Sequence, residues 1–196
     1  MPMTLRLATP DDAGAILAIV RTTIEDSAIT FYERVHALDE MRARIEAATK
    51  THPWLVIERD GVVLGHAAAG RFRSSEGTRW GTETSIGMAP EARGGGLGRL
   101  LYRALCETLV LLGFHNAYAG ITLPNPASVA LHERLGFTVV GTFRRTGYKL
   151  GRWHDSLWMQ KQLIVTDGPP AELRAPHDLV TDPELVRRFA EVTAAG

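Results

Sequence analysis

Arg93-Gly94-Gly95-Gly96-Leu97-Gly98 follows an apolar strand-like run, Ser85 to Met88, and opens a Leu-rich helical pattern that continues to about Gly113. Glycines at a strand-to-helix turn leave backbone N–H groups uncovered, and the helix start adds the positive end of its dipole. Together they make a seat for a diphosphate. Arg93 and Arg99 flank the turn and are placed for charge-assisted bonds to phosphate oxygens. No Lys-Ser or Lys-Thr pair follows, so the turn is not a nucleotide P-loop, and its glycine spacing is not that of a dinucleotide fingerprint. Ile86, Gly87 and Met88, just upstream, offer strand backbone to an extended ligand, with Gly87 permitting close approach. Glu83 is the one acid in the strand that leads to the turn and is a candidate general base. A partly buried carboxylate there would have a raised pKa; the plainer reading is an edge-strand Glu in solvent or in an ion pair. About thirty residues after the turn comes a second segment, Asn125 to Phe137, with Asn125 and Ser128 at a helix start and His132 seven residues after Asn125. His132 is a candidate acid or base, or else a satisfied histidine on the helix before Gly136. Asn125 also fits a helix cap, ahead of Pro126 at the first helical position.

The elements that must hold these residues follow from periodicity. Residues 4–8 alternate as a short strand, and Thr9-Pro10-Asp11-Asp12 starts a helix to about Asp26. A second helix covers 38–49. Trp54 to Glu58 and Val62 to Gly70 flank Arg59-Asp60-Gly61, a strong hairpin signal. A strand at about 79–88, a helix at about 96–113, a strand at 116–123 and a helix at about 126–135 follow, and strands at about 137–148 and 154–163 complete the domain. This order gives a mixed α/β sheet with crossovers, and the Gly-rich turn lies where a strand hands over to a helix. From Asp167, Gly168-Pro169-Pro170 and Pro176 punctuate a polar stretch, and Pro183 to Ala194 reads as an amphipathic helix with Leu185, Phe189 and Val192 as its apolar face. The expected organisation is one domain over 1–163 and a C-terminal extension over 164–196, a Pro-rich linker plus a short helix.

Bulk properties exclude several classes. Lys plus Arg equals Asp plus Glu at 22 each, so the charge balance favours neither nucleic acid nor an anionic membrane. No apolar run approaches the roughly 20 residues needed to span a bilayer, and the first residues lack a signal-peptide core. The single cysteine, Cys106, falls among leucines and fits a buried small hydrophobe in a reducing cytoplasm. His115, Asn116 and His36 make no metal-ligand spacing, so no metal is expected.

The turn and the Asn125 to Phe137 segment, in that order, resemble the GCN5-related N-acetyltransferase (GNAT) superfamily. Residues 3–163 resemble its phosphinothricin N-acetyltransferase family through Trp54-Leu55-Val56, Thr82-Glu83-Thr84-Ser85, Leu131-His132-Glu133 and Gly147 to Asp155. The resemblance implies the GNAT fold, a mixed and largely antiparallel sheet flanked by helices. It implies transfer of acetyl from acetyl-CoA to the primary amine of a small amino acid or analogue, by direct attack in a ternary complex. It assigns Glu83 as general base, His132 as a catalytic partner, and Arg93, Gly94, Gly95, Gly96, Leu97, Gly98, Arg99, Ile86, Gly87, Met88, Asn125 and Ser128 to CoA. It also implies a homodimer. Phe31, Arg73 and Trp80 border the expected acceptor site, where the chain departs from the family: Phe31-Tyr32-Glu33-Arg34-Val35 and Arg73 to Arg79 replace its usual blocks. The acceptor is therefore left open between phosphinothricin- or methionine-sulfoximine-like compounds and other amines, with a non-catalytic acyl-CoA sensor as a rival of another class.

Overall fold

The structure, a computed structural model, describes residues 3–194. Strands are β1 (Met3–Leu7), β2 (Trp54–Arg59), β3 (Val62–Arg71), β4 (Gly81–Met88), β5 (Asn116–Thr122), β6 (Thr138–Lys149) and β7 (Arg152–Gln162). Helices are α1 (Ala13–Asp26), α2 (Leu38–Thr49), α3 (Leu97–Leu112), α4 (Pro126–Arg134) and α5 (Pro183–Ala194). The strands form one sheet in the order β1-β2-β3-β4-β5-β7-β6. Neighbours are antiparallel except β4 and β5, which the α3 crossover makes parallel. The α/β mixed, largely antiparallel sheet is the expected one.

Local chemistry explains most boundaries. Asp60 and Gly61 both take positive φ, 53° and 76°, as the tight β2–β3 hairpin demands. The chain enters α1 through a short 3-10 turn at Pro10–Asp12. There the Asp12 carboxylate accepts from the Thr9 amide at 2.8 Å and from both terminal nitrogens of Arg6, each at 2.8 Å. Burial would raise the Asp12 pKa, but these donors outweigh it and hold the carboxyl below its usual range. The N-terminal anchor is thus an ion-paired acid, not the Thr9 hydroxyl alone. α3 stops at Gly113, φ 91°, whose N–H returns to Leu109 and Val110 carbonyls.

Pleating sends alternate residues to two cores. On one face Leu55, Ile57, Ala67, Ala69, Ala119 and Met159 meet Leu101, Leu105 and Leu109 of α3. On the other, Trp54, Val56 and Ala68 are covered by Ile16 and Leu17 of α1 and Met41 and Ile45 of α2. That second layer covers β2 and β3 and reaches β4 where Ile19 of α1 lies against Gly87. Beyond it the same face presents Glu83 of β4, Tyr118 and Gly120 of β5, and Trp158 of β7.

The extension is built into the first core. Leu179, Leu185, Phe189 and Val192 join the α3 cluster, and α5 packs on α3 and β1. The segment before it is tied down too: the Arg174 amide donates to the Leu112 carbonyl at 3.0 Å and the Trp80 indole to the Ala171 carbonyl at 2.8 Å. Among the described residues no helix is long and apolar enough to cross a membrane.

Phe189→Ala removes a large buried side chain from this layer, and such truncations cost about 3–5 kcal/mol. The variant should unfold at a clearly lower urea midpoint while keeping a native far-UV spectrum in water. An unchanged midpoint would show that α5 contributes nothing to the core.

Candidate active site

β4 and β5 stay in register for three pairs: Gly81 with Asn116, Thr82 with Ala117 and Glu83 with Tyr118. β5 then continues along β7 to Thr122, and β4 continues along β3 to Met88. The strands therefore part after Glu83. From Thr84 to Met88 the edge of β4 turned towards β5 has no ladder partner there. An extended ligand carrying amides can pair with such an edge as a missing strand would. Ile86, Gly87 and Met88 all lie on this stretch.

The fork leads into the Gly-rich turn. Gly94 and Gly96 take φ of 79° and 84°, a conformation that favours glycine. The amides of Gly95, Gly96, Leu97 and Gly98 have no partner among the described residues, and α3 starts at Leu97. Gly95 and Gly98 need no positive φ, and a Cβ at Gly98 would make ordinary contact, 3.5 Å from Met88 Cγ. The chain's own packing does not demand glycine there. Arg93 folds back so that Nε donates to the Met88 carbonyl at 3.1 Å. Arg99 starts a recess of ≈ 390 Å³ between α3 and α4 that Arg103, Arg134 and Lys161 also line, with Glu107 as its acid. Backbone amides, a helix start and this cationic recess suit a phosphorylated ligand.

Glu83 lies at the last paired rung, on the sheet face that carries α1 and α2 over β2 and β3. A Cβ on Gly120 would lie 3.8 Å from Glu83 Oε1 and 3.4 Å from the Trp158 ring, so the missing side chain opens room for the carboxylate. Phe72 stacks on Tyr118 at 3.9 Å and meets Trp158 at 5.9 Å, walling the groove with aromatic rings. One side of Glu83 is open to solvent, yet this crowding strips enough water to raise its pKa, and the Arg73 charge pulls it back only in part. Arg73 itself lies over the Phe72 ring at 4.7 Å. Phe31, in the α1–α2 connection, packs against the β6–β7 hairpin, where a Cβ on Gly147 would collide with it. Lys149 Nζ holds that connection by donating to the Thr30 carbonyl at 2.8 Å. Arg73 is thus brought to Glu83, Phe31 lies against the hairpin, and Trp80 is turned to the C-terminal segment through Ala171.

Asn125 caps α4, its Oδ1 accepting from the Ser128 amide at 3.1 Å. His132 is only 3 % exposed. Its Nδ1 donates to the Ser128 carbonyl at 2.7 Å and its Nε2 faces the Tyr102 hydroxyl at 3.0 Å. Burial lowers the His132 pKa, opposed by the Ser128 bond. Tyr102, wholly buried on α3, also meets Thr84 Oγ1 at 2.5 Å, and Thr84 donates to the Tyr118 carbonyl at 2.9 Å. Sequence reasoning passed over Tyr102, Thr84, Phe72, Tyr118 and Trp158. The signal was faint: a tyrosine inside a leucine stripe must find a partner for its hydroxyl. The Cys106 thiol, 4 % exposed, is pushed up to about 11 by burial, which leaves it a poor nucleophile.

Gly87 has a second explanation. A Cβ there would stand 2.6 Å from His66 Nε2, on the face under α1. His66 is buried, both its ring nitrogens lack hydrogen-bond partners, and burial drives its pKa down to about 4. Gly87 makes room for an imidazole as much as for any ligand.

Comparison with known proteins agrees with this geometry. Residues 5–158 match the family model described as an acetyltransferase (GNAT) domain. The phosphinothricin N-acetyltransferase of Streptomyces viridochromogenes is 36% identical over 173 residues, 88% of this chain and 94% of that protein. An L-methionine sulfoximine/L-methionine sulfone acetyltransferase of Salmonella typhimurium is 38% identical over 170 residues, 86% of this chain and 99% of that protein. The crystal structure of a GNAT superfamily phosphinothricin acetyltransferase from Sinorhizobium meliloti, in complex with AcCoA, superposes with a TM-score of 0.84 at 36% identity, covering 90% of this chain and 97% of the other.

His66→Leu should stabilise the fold by about 1–3 kcal/mol at neutral pH, since it removes two unsatisfied nitrogens. A histidine whose folded pKa is depressed loses stability as pH falls from the unfolded value of 6.5 towards about 4, because only the unfolded chain takes up the proton. Urea midpoints at pH 7 and pH 5 should therefore differ less in His66→Leu than in the parent. Equal pH dependence in both would sink this account of His66.

Proposed function

The chain belongs to the GNAT acetyltransferase family and is an N-acetyltransferase; we propose that it transfers acetyl from acetyl-CoA to the primary amine of a small amino acid or analogue, with Glu83 as general base. The observation that carries this reading is the Glu83 carboxylate, with its raised pKa, standing at the fork beside the aromatic groove. The relatives named for phosphinothricin and methionine sulfoximine make compounds of that shape the first candidates.

Acetyl-CoA supplies an activated thioester. The unpaired edge of β4 holds its pantetheine arm, the amides of Gly95 to Gly98 hold its diphosphate with Arg93 and Arg99, and the α3–α4 recess takes the remaining phosphate. In this reading Asn125 and Ser128, at the start of α4, also bind CoA. The acceptor lies in the groove of Phe72, Tyr118 and Trp158, with Arg73 set to meet an acidic group and Phe31 closing the hairpin side. Glu83 takes the proton of the ammonium, and the freed lone pair attacks the thioester carbonyl. A C–N bond forms, the C–S bond breaks, and the thiolate leaves to be protonated. Transfer is direct, because the buried Cys106 cannot carry the acetyl group. A raised carboxylate pKa strengthens the base.

The assembly we infer is a homodimer in the cytoplasm. β6 is an edge strand whose Val139, Val140, Phe143 and Tyr148 are all more than half exposed, an apolar edge of the kind a second copy covers. The single buried thiol fits a reducing compartment.

Thiol release from acetyl-CoA, measured against phosphinothricin, methionine sulfoximine, ordinary L-amino acids and spermidine, tests the reading. We expect turnover with amino-acid-type amines and none with spermidine. Glu83→Gln should lower kcat/KM by about 10²–10⁴-fold. It should also abolish the acidic limb, the loss of rate as pH falls through the Glu83 pKa. Full activity in Glu83→Gln would remove the base from this mechanism while leaving the enzyme class intact.

A further inference from the structure

One hydrogen-bonded line joins four elements around the fork: the Tyr118 carbonyl on β5, Thr84 Oγ1 on β4, the Tyr102 hydroxyl on α3, and His132 with the Ser128 carbonyl on α4. Its links measure 2.9, 2.5, 3.0 and 2.7 Å from the Tyr118 end. Both ends are carbonyls and can only accept. Thr84 therefore gives its proton to Tyr118, and His132 must carry a proton on Nδ1 for Ser128. The two middle links then share one proton, that of Tyr102. Donated to His132 Nε2, it leaves the oxygens of Thr84 and Tyr102 facing each other without a hydrogen. Donated to Thr84, it leaves Nε2 facing an oxygen lone pair. A second proton on His132 fills every link, with Nε2 donating to Tyr102, Tyr102 to Thr84 and Thr84 to Tyr118.

We propose that Tyr102 is a positioning residue: its hydroxyl ties the imidazole of His132, held in the Nδ1–H form by the Ser128 carbonyl, to the apex of the fork, so the proton count at His132 is felt at Thr84 and Tyr118. The remaining groups against the pair are the Ser128 hydroxyl, 3.4 Å from His132 Nδ1, the Phe137 ring, 5.0 Å from His132 and 5.7 Å from Tyr102, the Glu83 charge acting on Tyr102 from β4, and Cys106 on α3. The Ser128 carbonyl, at 2.7 Å, is the nearer partner of Nδ1 and takes its proton. Burial of both His132 and Tyr102 keeps water out of the line. Tyr102 reaches the reacting atoms through Thr84 and His132, which is why it positions and does not itself react.

The catalytic arm of the test rests on the acetyl-transfer reading; the spectroscopic arm does not. Imidazole ¹⁵N spectra of the ligand-free chain should show His132 with Nδ1 protonated and Nε2 as a hydrogen-bonded acceptor. Tyr102→Phe keeps the ring that packs on Phe137 and should shift Nε2 to the position of an unbonded acceptor. It should lower kcat about tenfold, the worth of one buried hydrogen bond, with the KM for acetyl-CoA within twofold. Thr84→Val cuts the line at its other end, so Tyr102 gives its proton wholly to His132 and the Nε2 signal moves the opposite way. A His132 protonated on Nε2 in the parent chain, or unmoved His132 signals in both variants, would overturn the proposal. Expected shifts in a parent that turns over no amine would instead reject the acetyl-transfer reading and leave the role of Tyr102 standing.

Discussion

Thr84 occupies the point where the parallel ladder of β4 and β5 gives out. Its hydroxyl takes the Tyr118 carbonyl, so the last polar group at the apex is satisfied by a side chain and the next backbone rung need not form. Continued pairing would have closed the sheet between β4 and β5 and left no edge for a ligand. Everything that serves the site depends on this early end: the free edge of β4, the turn beyond Met88, and the carboxylate of Glu83 at the final rung. The fork is stable because each strand keeps its other neighbour, β3 for β4 and β7 for β5.

Packing holds the fork open from below. Tyr102 stands edge-on to both His132 and Phe137, at 4.9 and 5.7 Å, and fills the space under the parting strands with rings instead of water. α3 is held against the sheet by its leucine stripe and is backed in turn by Leu185, Phe189 and Val192 of α5. The extension lies beyond residue 158, where the family match ends. It backs α3, holds the indole of Trp80 through Ala171 and pairs Glu172 with Arg79.

Legibility in the sequence followed the kind of atom that does the work. The proposed cofactor side is made of backbone, and backbone geometry leaves marks: glycines for positive φ, Asn125-Pro126 for a helix start, Asp60-Gly61 for a hairpin. Helices at 38–49 and 183–194 and the closing glycines at 113 and 136 were readable for the same reason. The proposed acceptor side is made of side chains from Phe72, Tyr118 and Trp158, which are far apart in sequence and meet only through strand register. Tyr102 with His132 is the same case, two residues thirty positions apart joined by one bond. No local pattern announces such pairs, because the partner is chosen by topology.

Gly87 and Gly98 show how far a glycine can be trusted as a sign of ligand approach. Both border the fork, and both read in the sequence as places where a cofactor comes close. At Gly98 the chain offers a Cβ ordinary room, 3.5 Å from Met88, and imposes no positive φ, so nothing internal requires glycine. At Gly87 an added Cβ would strike His66 at 2.6 Å from the opposite face of the sheet. His66 is buried with no hydrogen-bond partner among the described residues, so the pressure for glycine at 87 exists without any ligand. Packing accounts for glycine at 87 and leaves room for a side chain at 98. Unspent room around an α-carbon without positive φ is therefore what separates Gly95 and Gly98 from Gly87, and it is the ground on which the proposed diphosphate seat is placed beyond the strand and not on it.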